Sequence, residues 1–358
     1  MEPINLFDYE PLARERVDPV AWDYYQSGAN DEVTLRENRR AFERIRLRPR
    51  VLAGVGEPDT RLTLLGEPLR SPILVAPMAY QRMAHDEGEA AMARGASAAG
   101  AAMCVSTMAT VSLEDVALAA EGPLWFQLYV YRDRAVTESL VRRAERAGYR
   151  ALVVTVDMPA VGRREADLRN GFGLPPHLSL ANFAGALAEE GRVAPGESAL
   201  SIYAAHQLDP SLTWESIAWL RSVTTLPVLL KGILTAEDAA LAVAHGVAGV
   251  IVSNHGGRQL DGVAPSIEAL PEVVETVAGR CVVLVDGGLR RGTDILKALA
   301  LGAQAALVGR PMLWALAVDG AAGVERAVTL LREELSLAMA LAGRPTLASI
   351  DRSLVRLP

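Results

Sequence analysis

The sequence predicts an α/β protein: a (β/α)8 barrel with an N-terminal helical extension and a long insertion after the fourth strand. Three observations lead there. Short apolar runs recur along the chain, each followed by a longer amphipathic stretch. The runs are apolar throughout, which marks strands buried on both faces, as in a parallel sheet covered by helices. Eight such units over about 240 residues have the size of a closed barrel. A doubly wound sheet is the alternative. It accommodates eight units less well, and no GxGxxG follows the first run, which weakens a dinucleotide-binding reading.

In chain order, residues 1–70 read as helices followed by a short hairpin over RLTLLGEPL. The strand runs are SPILVAP (71–77), AAMCVS (101–106), LWFQLYV (124–130), ALVVTVD (151–157), LPVLLKG (226–232), AGVIVSN (248–254), CVVLVDG (281–287) and AALVGRP (305–311). Between them lie DEGEAAMARGASAAG, SLEDVALAA, DRAVTESLVRRAERAG and TAEDAALAVAHG. Several of these open on a Ser, Thr or Asp cap followed by acidic residues, and several end in Gly, as helices do. Their charges fall on one side of the helical period and Ala, Leu and Val on the other. Residues 158–213 interrupt the alternation. A connection of that length is a functional lid or a disordered segment. Its Gly, Pro and Asn suit a mobile loop at the barrel mouth, and LANFAGALAEE within it reads as a short amphipathic helix. The whole of 1–358 is expected to form a single domain.

Composition narrows the function classes. Lys and Arg number 36 and Asp and Glu 43, a net charge of −7, with half the residues hydrophobic. That excludes a disordered chain, and the acidic balance argues against nucleic acid as a partner. No apolar run reaches the ~20 residues a membrane span needs, and no leader pattern opens the chain. The two cysteines, Cys104 and Cys281, sit in apolar runs and read as buried core thiols. A reduced, cytoplasmic location is expected. No His, Cys or acidic cluster has metal-ligand spacing, so no metal is expected.

Barrel chemistry gathers where strands end at their C-terminal side. Those positions hold Pro77, Met78, Ala79 and Tyr80; Ser106; Gln127 and Tyr129; Thr155 and Asp157, with Arg163 and Arg164 beyond; Lys231; Ser253 to Arg258; Asp286 to Gly288, then Arg290; and Gly309 with Arg310. Gly287, Gly288 and Gly309 let backbone amides approach an anion, and Arg290 and Arg310 add positive charge. Loops after strands seven and eight are the usual barrel phosphate site, so a phosphorylated ligand is predicted there. Lys231 ends an otherwise apolar strand. It should face the mouth and a partner, unless it snorkels to water. His255 with Asp157 is a candidate base and orienting carboxylate. Arg258 and Arg164 are candidates for clamping a substrate carboxylate. His245 ends a helix and reads as its cap.

At SNHGGRQLDG (253–262) the chain resembles the active-site signature of the FMN-dependent α-hydroxy-acid oxidases and dehydrogenases. DYYQSGA (23–29), APMAYQRMAH (76–85), WFQLYVYRD (125–133), TVDMPAVGRREAD (155–167), LKG (230–232), DGGLRRGTD (286–294) and ALGAQAALVGRP (300–311) match the family in order. The resemblance implies FMN held by Pro77, Met78, Ala79, Ser106, Gln127, Thr155, Lys231 and Ser253. It places the phosphate on Asp286, Gly287, Gly288, Arg290, Gly309 and Arg310. It further implies Lys231 near the flavin N1–O2 edge, the substrate carboxylate on Arg258, Arg164 and Tyr24, Tyr129 on the substrate hydroxyl, and His255 as base with Asp157 behind it. The implied reaction oxidises an L-2-hydroxy acid to the 2-oxo acid, with O2 reduced to H2O2. A homo-oligomer, tetramer or octamer, is also implied. Met108 stands where glycolate oxidase has an aromatic residue, and Tyr80 with RNGFGLP is closer to hydroxymandelate oxidase. A flexible Met repacks around larger groups, so mandelate-like substrates are expected ahead of lactate. Ala79 looks like the oxidase members. An FMN-dependent isomerase, a dehydrogenase or monooxygenase of the same family, or a non-catalytic flavin barrel are the alternatives.

Overall fold

Every apolar run of the sequence forms one strand of a closed, all-parallel barrel. The computed structural model describes residues 2–183 and 198–358. The strands are β1 (Ile73–Val75), β2 (Met103–Ser106), β3 (Leu124–Leu128), β4 (Ala151–Thr155), β5 (Val228–Ile233), β6 (Gly249–Val252), β7 (Val282–Val285) and β8 (Ala305–Val308). β8 pairs in parallel with β1, Leu307 opposite Leu74, and this closure excludes the doubly wound alternative. The helices between strands begin where the sequence places caps. Ser112 Oγ accepts the Asp115 N–H at 3.1 Å, Asp133 Oδ1 that of Ala135 at 2.9 Å and Thr235 Oγ1 that of Asp238 at 3.2 Å. Each such bond satisfies an orphan donor and is worth about 1 kcal/mol.

Strand side chains alternate between the barrel interior and the helical layer. Leu74, Cys104, Trp125, Val153, Leu229, Ile251, Leu284 and Leu307 pack together as the inner core. Leu64 and Leu69 join them from the hairpin Leu62–Leu64 and Glu67–Leu69, whose tight turn places Leu65 and Gly66 at positive φ. That hairpin stoppers the N-terminal end of the barrel. Cys104 is buried as expected, whereas Cys281, just ahead of β7, is only partly so.

The N-terminal extension forms helices Leu6–Arg14, Pro19–Gln26 and Val33–Arg44. The last is capped across the fold: Asp261 accepts the N–H groups of Val33 at 3.2 Å and Thr34 at 2.7 Å. After β4 come a helix Glu165–Asn170, a single 3-10 turn Ala181–Phe183 and a helix Ala199–Gln207. Residues 184–190 of the helix expected over LANFAGALAEE lie outside the described residues, as does the middle of the expected lid. Among the described residues, no helix is long and apolar enough to cross a membrane.

The long helical segment Arg310–Ala342, broken at Asp319 and Gly320, packs on helix Gly88–Ala99. Their crossing needs Gly95, because a Cβ there would meet the Ala321 carbonyl and the Val324 side chain. Alanine gains about 1 kcal/mol of helix propensity over glycine. Crowding a backbone oxygen that cannot rotate away costs ~1–3 kcal/mol. Gly95→Ala should therefore lower the thermal unfolding midpoint, and calorimetry showing a higher midpoint would mean the helices separate freely.

Candidate active site

Two residues beyond the inner core, the same alternation turns a polar ring into the barrel mouth. It comprises Ser106, Gln127, Thr155, Lys231, Ser253 and Asp286, from six consecutive strands or strand ends. The ring is wired across the strands. Ser106 Oγ donates to Gln127 Oε1 at 3.1 Å, and Gln127 Nε2 donates to Thr155 Oγ1 at 3.0 Å. Lys231 Nζ donates to Ser253 Oγ at 2.9 Å and pairs with Asp286 at 3.2 Å. Lys231 is 4% exposed and does not reach water. Burial works against its ammonium, but the carboxylates of Asp286 and Asp157 outweigh it and hold its pKa above the usual value.

His255 stands above the ring. Its Nδ1 lies 2.9 Å from Asp157 Oδ1. The carboxylate accepts a hydrogen bond from Nδ1–H, which leaves Nε2 as the basic nitrogen. Burial pushes the imidazole pKa down, Asp157 opposes this, and Lys231 adds to the fall, so the net shift is downward. The ring is thus a neutral base at neutral pH. Asp157 reaches it because β5 bulges at Gly232, where a Cβ would sit 2.6 Å from that of Asp157. His255, Gly256 and Gly257 all have positive φ, a left-handed turn that favours glycine and strains histidine. Asn254 braces it. Its Nδ2 donates to Asn38 Oδ1 at 2.8 Å, and Asn38 Nδ2 returns a bond of 2.8 Å to Asn254 Oδ1.

Four arginines surround the cavity. Arg258 Nη1 donates to the carbonyls of Tyr24 at 2.6 Å and Ser27 at 2.8 Å. Arg164 is 4% exposed and lies 4.0 Å from Asp167. Arg310 spends Nε, Nη1 and Nη2 on the carbonyls of Tyr25, Gly256 and Ser27. The sequence reading sets its guanidinium beside a phosphate. In the structure the carbonyls at the C-terminal end of helix Pro19–Gln26 and that of Gly256 take three of its five guanidinium N–H groups, so Arg310 keeps two of them, its charge and its backbone N–H for an anion. Arg290 stacks on Trp314, 4.9 Å from the ring centre. Among the described residues no carboxylate forms an ion pair with Arg258, Arg290 or Arg310. Burial pushes Arg258 and Arg290 down to about 10 and Arg310 well below its usual range. An unneutralised, partly buried cation cluster of this kind favours anionic ligands.

The cavity measures about 1100 Å³, part of it open to solvent. Pro77, Met78, Ala79, Tyr129, Gly287, Gly288 and Gly309 line it together with the arginines and every ring member but Ser253. Gly288 admits no side chain, because a Cβ would overlap the Asn38 carbonyl. Asp286 Oδ1 is buried without a partner, an acceptor set to receive a ligand hydroxyl or N–H. A phosphate on the glycine loops and hydroxyls along the ring, as FMN carries, fit these groups. Over the mouth lie Tyr24 and Met108, joined by Met158 and Leu200, which sequence reasoning does not single out. Two expected residues stand back from the wall. Ser253 is fully buried behind Lys231. Tyr80 packs behind Tyr24, 5.4 Å between ring centres, and its carbonyl accepts the Tyr25 hydroxyl at 2.5 Å. The aromatic face on Tyr24 is instead Phe172, stacked at 4.3 Å.

The model of the FMN-dependent dehydrogenase family matches residues 13–357. The chain belongs to that family. It is 54% identical to an L-lactate oxidase of Nostoc sp. across 99% of this chain and 98% of the relative. A glycolate oxidase of Spinacia oleracea is 52% identical, across 99% and 95%. A solved mandelate oxidase with (S)-4-hydroxymandelic acid superposes with a TM-score of 0.95 at 46% identity, over 99% and 98% of the chains. FMN is the cofactor of this FMN-dependent enzyme family, and the cationic, glycine-lined cavity suits it.

Arg290 provides the test of the phosphate end. Removing a charge-assisted bond costs ~1.5–3 kcal/mol. Arg290→Met should therefore weaken FMN retention by roughly 10- to 100-fold, read as the flavin-to-protein ratio after dialysis. Full retention would move the phosphate away from Arg290.

Proposed function

We propose that this protein oxidises an (S)-2-hydroxy acid to the 2-oxo acid, with O2 as the final acceptor. The observation that carries this reading is a partly buried neutral base, His255, facing the same cavity as Arg258, which no carboxylate pairs among the described residues, and Arg164, whose contact with Asp167 is long at 4.0 Å. The substrate loses two electrons and two protons, one hydrogen from Cα and one from the hydroxyl, and O2 gains both pairs to leave as H2O2. FMN, when bound, supplies the two-electron acceptor.

The chain's own residues do the rest. Arg258, Arg164 and the Tyr24 hydroxyl bind the substrate carboxylate and fix its orientation. Tyr129 holds the substrate hydroxyl, and burial keeps its phenol protonated as a donor. His255 Nε2 takes the proton, and Asp157 stabilises the imidazolium that results. Lys231 sets a positive charge at the floor of the cavity, where negative charge develops as electrons leave the substrate.

Met108 is 2% exposed and lines the cavity with Met158 and Leu200. Two thioethers and a leucine give a yielding apolar wall, which supports a bulky substrate side chain. (S)-Mandelate should be turned over at least as well as glycolate, with L-lactate between. The measurement is kcat/KM across glycolate, L-lactate, (S)-mandelate and (S)-4-hydroxymandelate, with peroxide detection. A strong glycolate preference removes the pocket argument. Absence of peroxide points to a different acceptor.

His255→Ala should retain FMN and lose at least the ~100-fold that a general base contributes. The pH sign follows from the surroundings. The base works neutral, so kcat/KM falls as pH drops through the His255 pKa. Asp157 raises that pKa, so Asp157→Asn should move the acid limb to lower pH while the plateau drops. A limb that stays in place would detach Asp157 from the base.

A further inference from the structure

We propose that Gln259 is a positioning residue: its side-chain amide fastens the β4 loop, which carries Asp157 and Arg164, to the β6 loop, which carries His255 and Arg258. The role assumes the reaction proposed above. Gln259 Nε2 donates to the Asp157 carbonyl at 2.9 Å and to the Ala160 carbonyl at 2.8 Å, and Oε1 accepts the Gly162 N–H at 3.1 Å. One half-buried side chain thereby holds three points of a segment, 157–164, that has no helix or strand of its own.

Little else joins the two loops. Among the described residues, the remaining hydrogen bonds between them are His255–Asp157 itself and a long one of 3.4 Å from Arg164 Nε to the Arg258 carbonyl. Both involve the groups that must be positioned. Gln259 does not line the cavity and does not touch the side chains of the acid–base pair. It grips the main chain of Asp157, whose carboxylate orients His255. Gly162 permits the approach, because a Cβ there would collide with the Arg258 carbonyl and with Gln259. The chemistry requires an amide. Two carbonyls need donors and one N–H needs an acceptor, which Gln supplies and Glu or Met does not.

The consequence is a coupled frame. When the β4 loop slackens, Asp157 recedes from His255 and Arg164 recedes from the substrate carboxylate together. The charged groups acting on His255 are Asp157, Lys231 and Arg164. Losing the Asp157 contact leaves the two cations dominant and lowers the imidazole pKa.

The test uses Gln259→Met holoenzyme with two readouts. NMR titration of the His255 ring reads the pKa in the resting enzyme without substrate, assigned against His255→Ala. Its pKa should fall towards that of Asp157→Asn. Kinetics on the best wild-type substrate should show kcat/KM down about 10-fold, the scale of one lost hydrogen-bonded anchor, with a raised KM and retained FMN. Gly162→Ala, which forces the same loops apart, should reproduce both effects, and Gln259→Asn, one methylene short, serves if the Met variant does not fold. A lowered unfolding midpoint with unchanged His255 titration and KM would overturn the proposal. Wild-type enzyme inert to every 2-hydroxy acid would instead defeat the functional reading, while the NMR arm would still decide whether Gln259 holds the dyad.

Discussion

The two-residue period of the barrel strands is the constraint on which everything else depends. From Cys104 to Ser106, Trp125 to Gln127, Val153 to Thr155, Leu229 to Lys231, Ile251 to Ser253 and Leu284 to Asp286, one step along the inward face crosses from apolar core to polar ring. A residue inserted in any strand would flip its ring member into the helical layer. Lys231 tolerates its depth because Ser253 and Asp286, from the next two strands, arrive at the same level. Removing Asp286 would take the ion-pair partner from a buried ammonium, a loss that costs ~3–5 kcal/mol.

Above that ring the charges do not balance. Arg258, Arg290 and Arg310 are partly buried, with backbone carbonyls and a tryptophan face for company. Protein folding energy spent on such an arrangement is recovered when anions enter, because each anion then meets a desolvated partner. In the proposed reaction, phosphate and carboxylate share this one cationic cavity. His255, the proposed base, faces it with Arg164 and Arg258, where a proton would leave a 2-hydroxy acid.

The strands, the caps and the ring were legible in the sequence because each follows from local order: apolar runs, Ser, Thr or Asp before a helix, and parity along a strand. The place of Gly287, Gly288 and His255 on the cavity was legible because strand ends line the mouth of a barrel. What escaped depends on distant segments meeting. Asn38 reads as an ordinary polar residue on a helix until Asn254 folds against it. Gly232 reads as a turn glycine, yet its function is to clear space for Asp157. Tyr80 looks like a mouth residue from its position after β1, but its left-handed backbone turns it behind Tyr24, and Phe172 takes the stacking face. Leu200 follows a long connection, so no periodicity could bring it to the cavity.

The string SNHGGRQLDG shows why a short run can carry so much of a fold. Ser253 receives the Lys231 ammonium, Asn254 holds the N-terminal helix, and His255, the proposed base, meets Asp157. Gly256 and Gly257 complete the left-handed turn, and Arg258 ties the carbonyls of helix Pro19–Gln26. Gln259 grips the β4 loop, and Asp261 caps helix Val33–Arg44. Only Leu260, 73% exposed, makes no such tie. Consecutive residues on a turning backbone point in different directions, so each engages a different element. A single loop can then set the base, the clamp and the extension in fixed relation. That concentration of long-range contacts in adjacent positions leaves the run few acceptable substitutions, and makes it the most informative stretch of the chain.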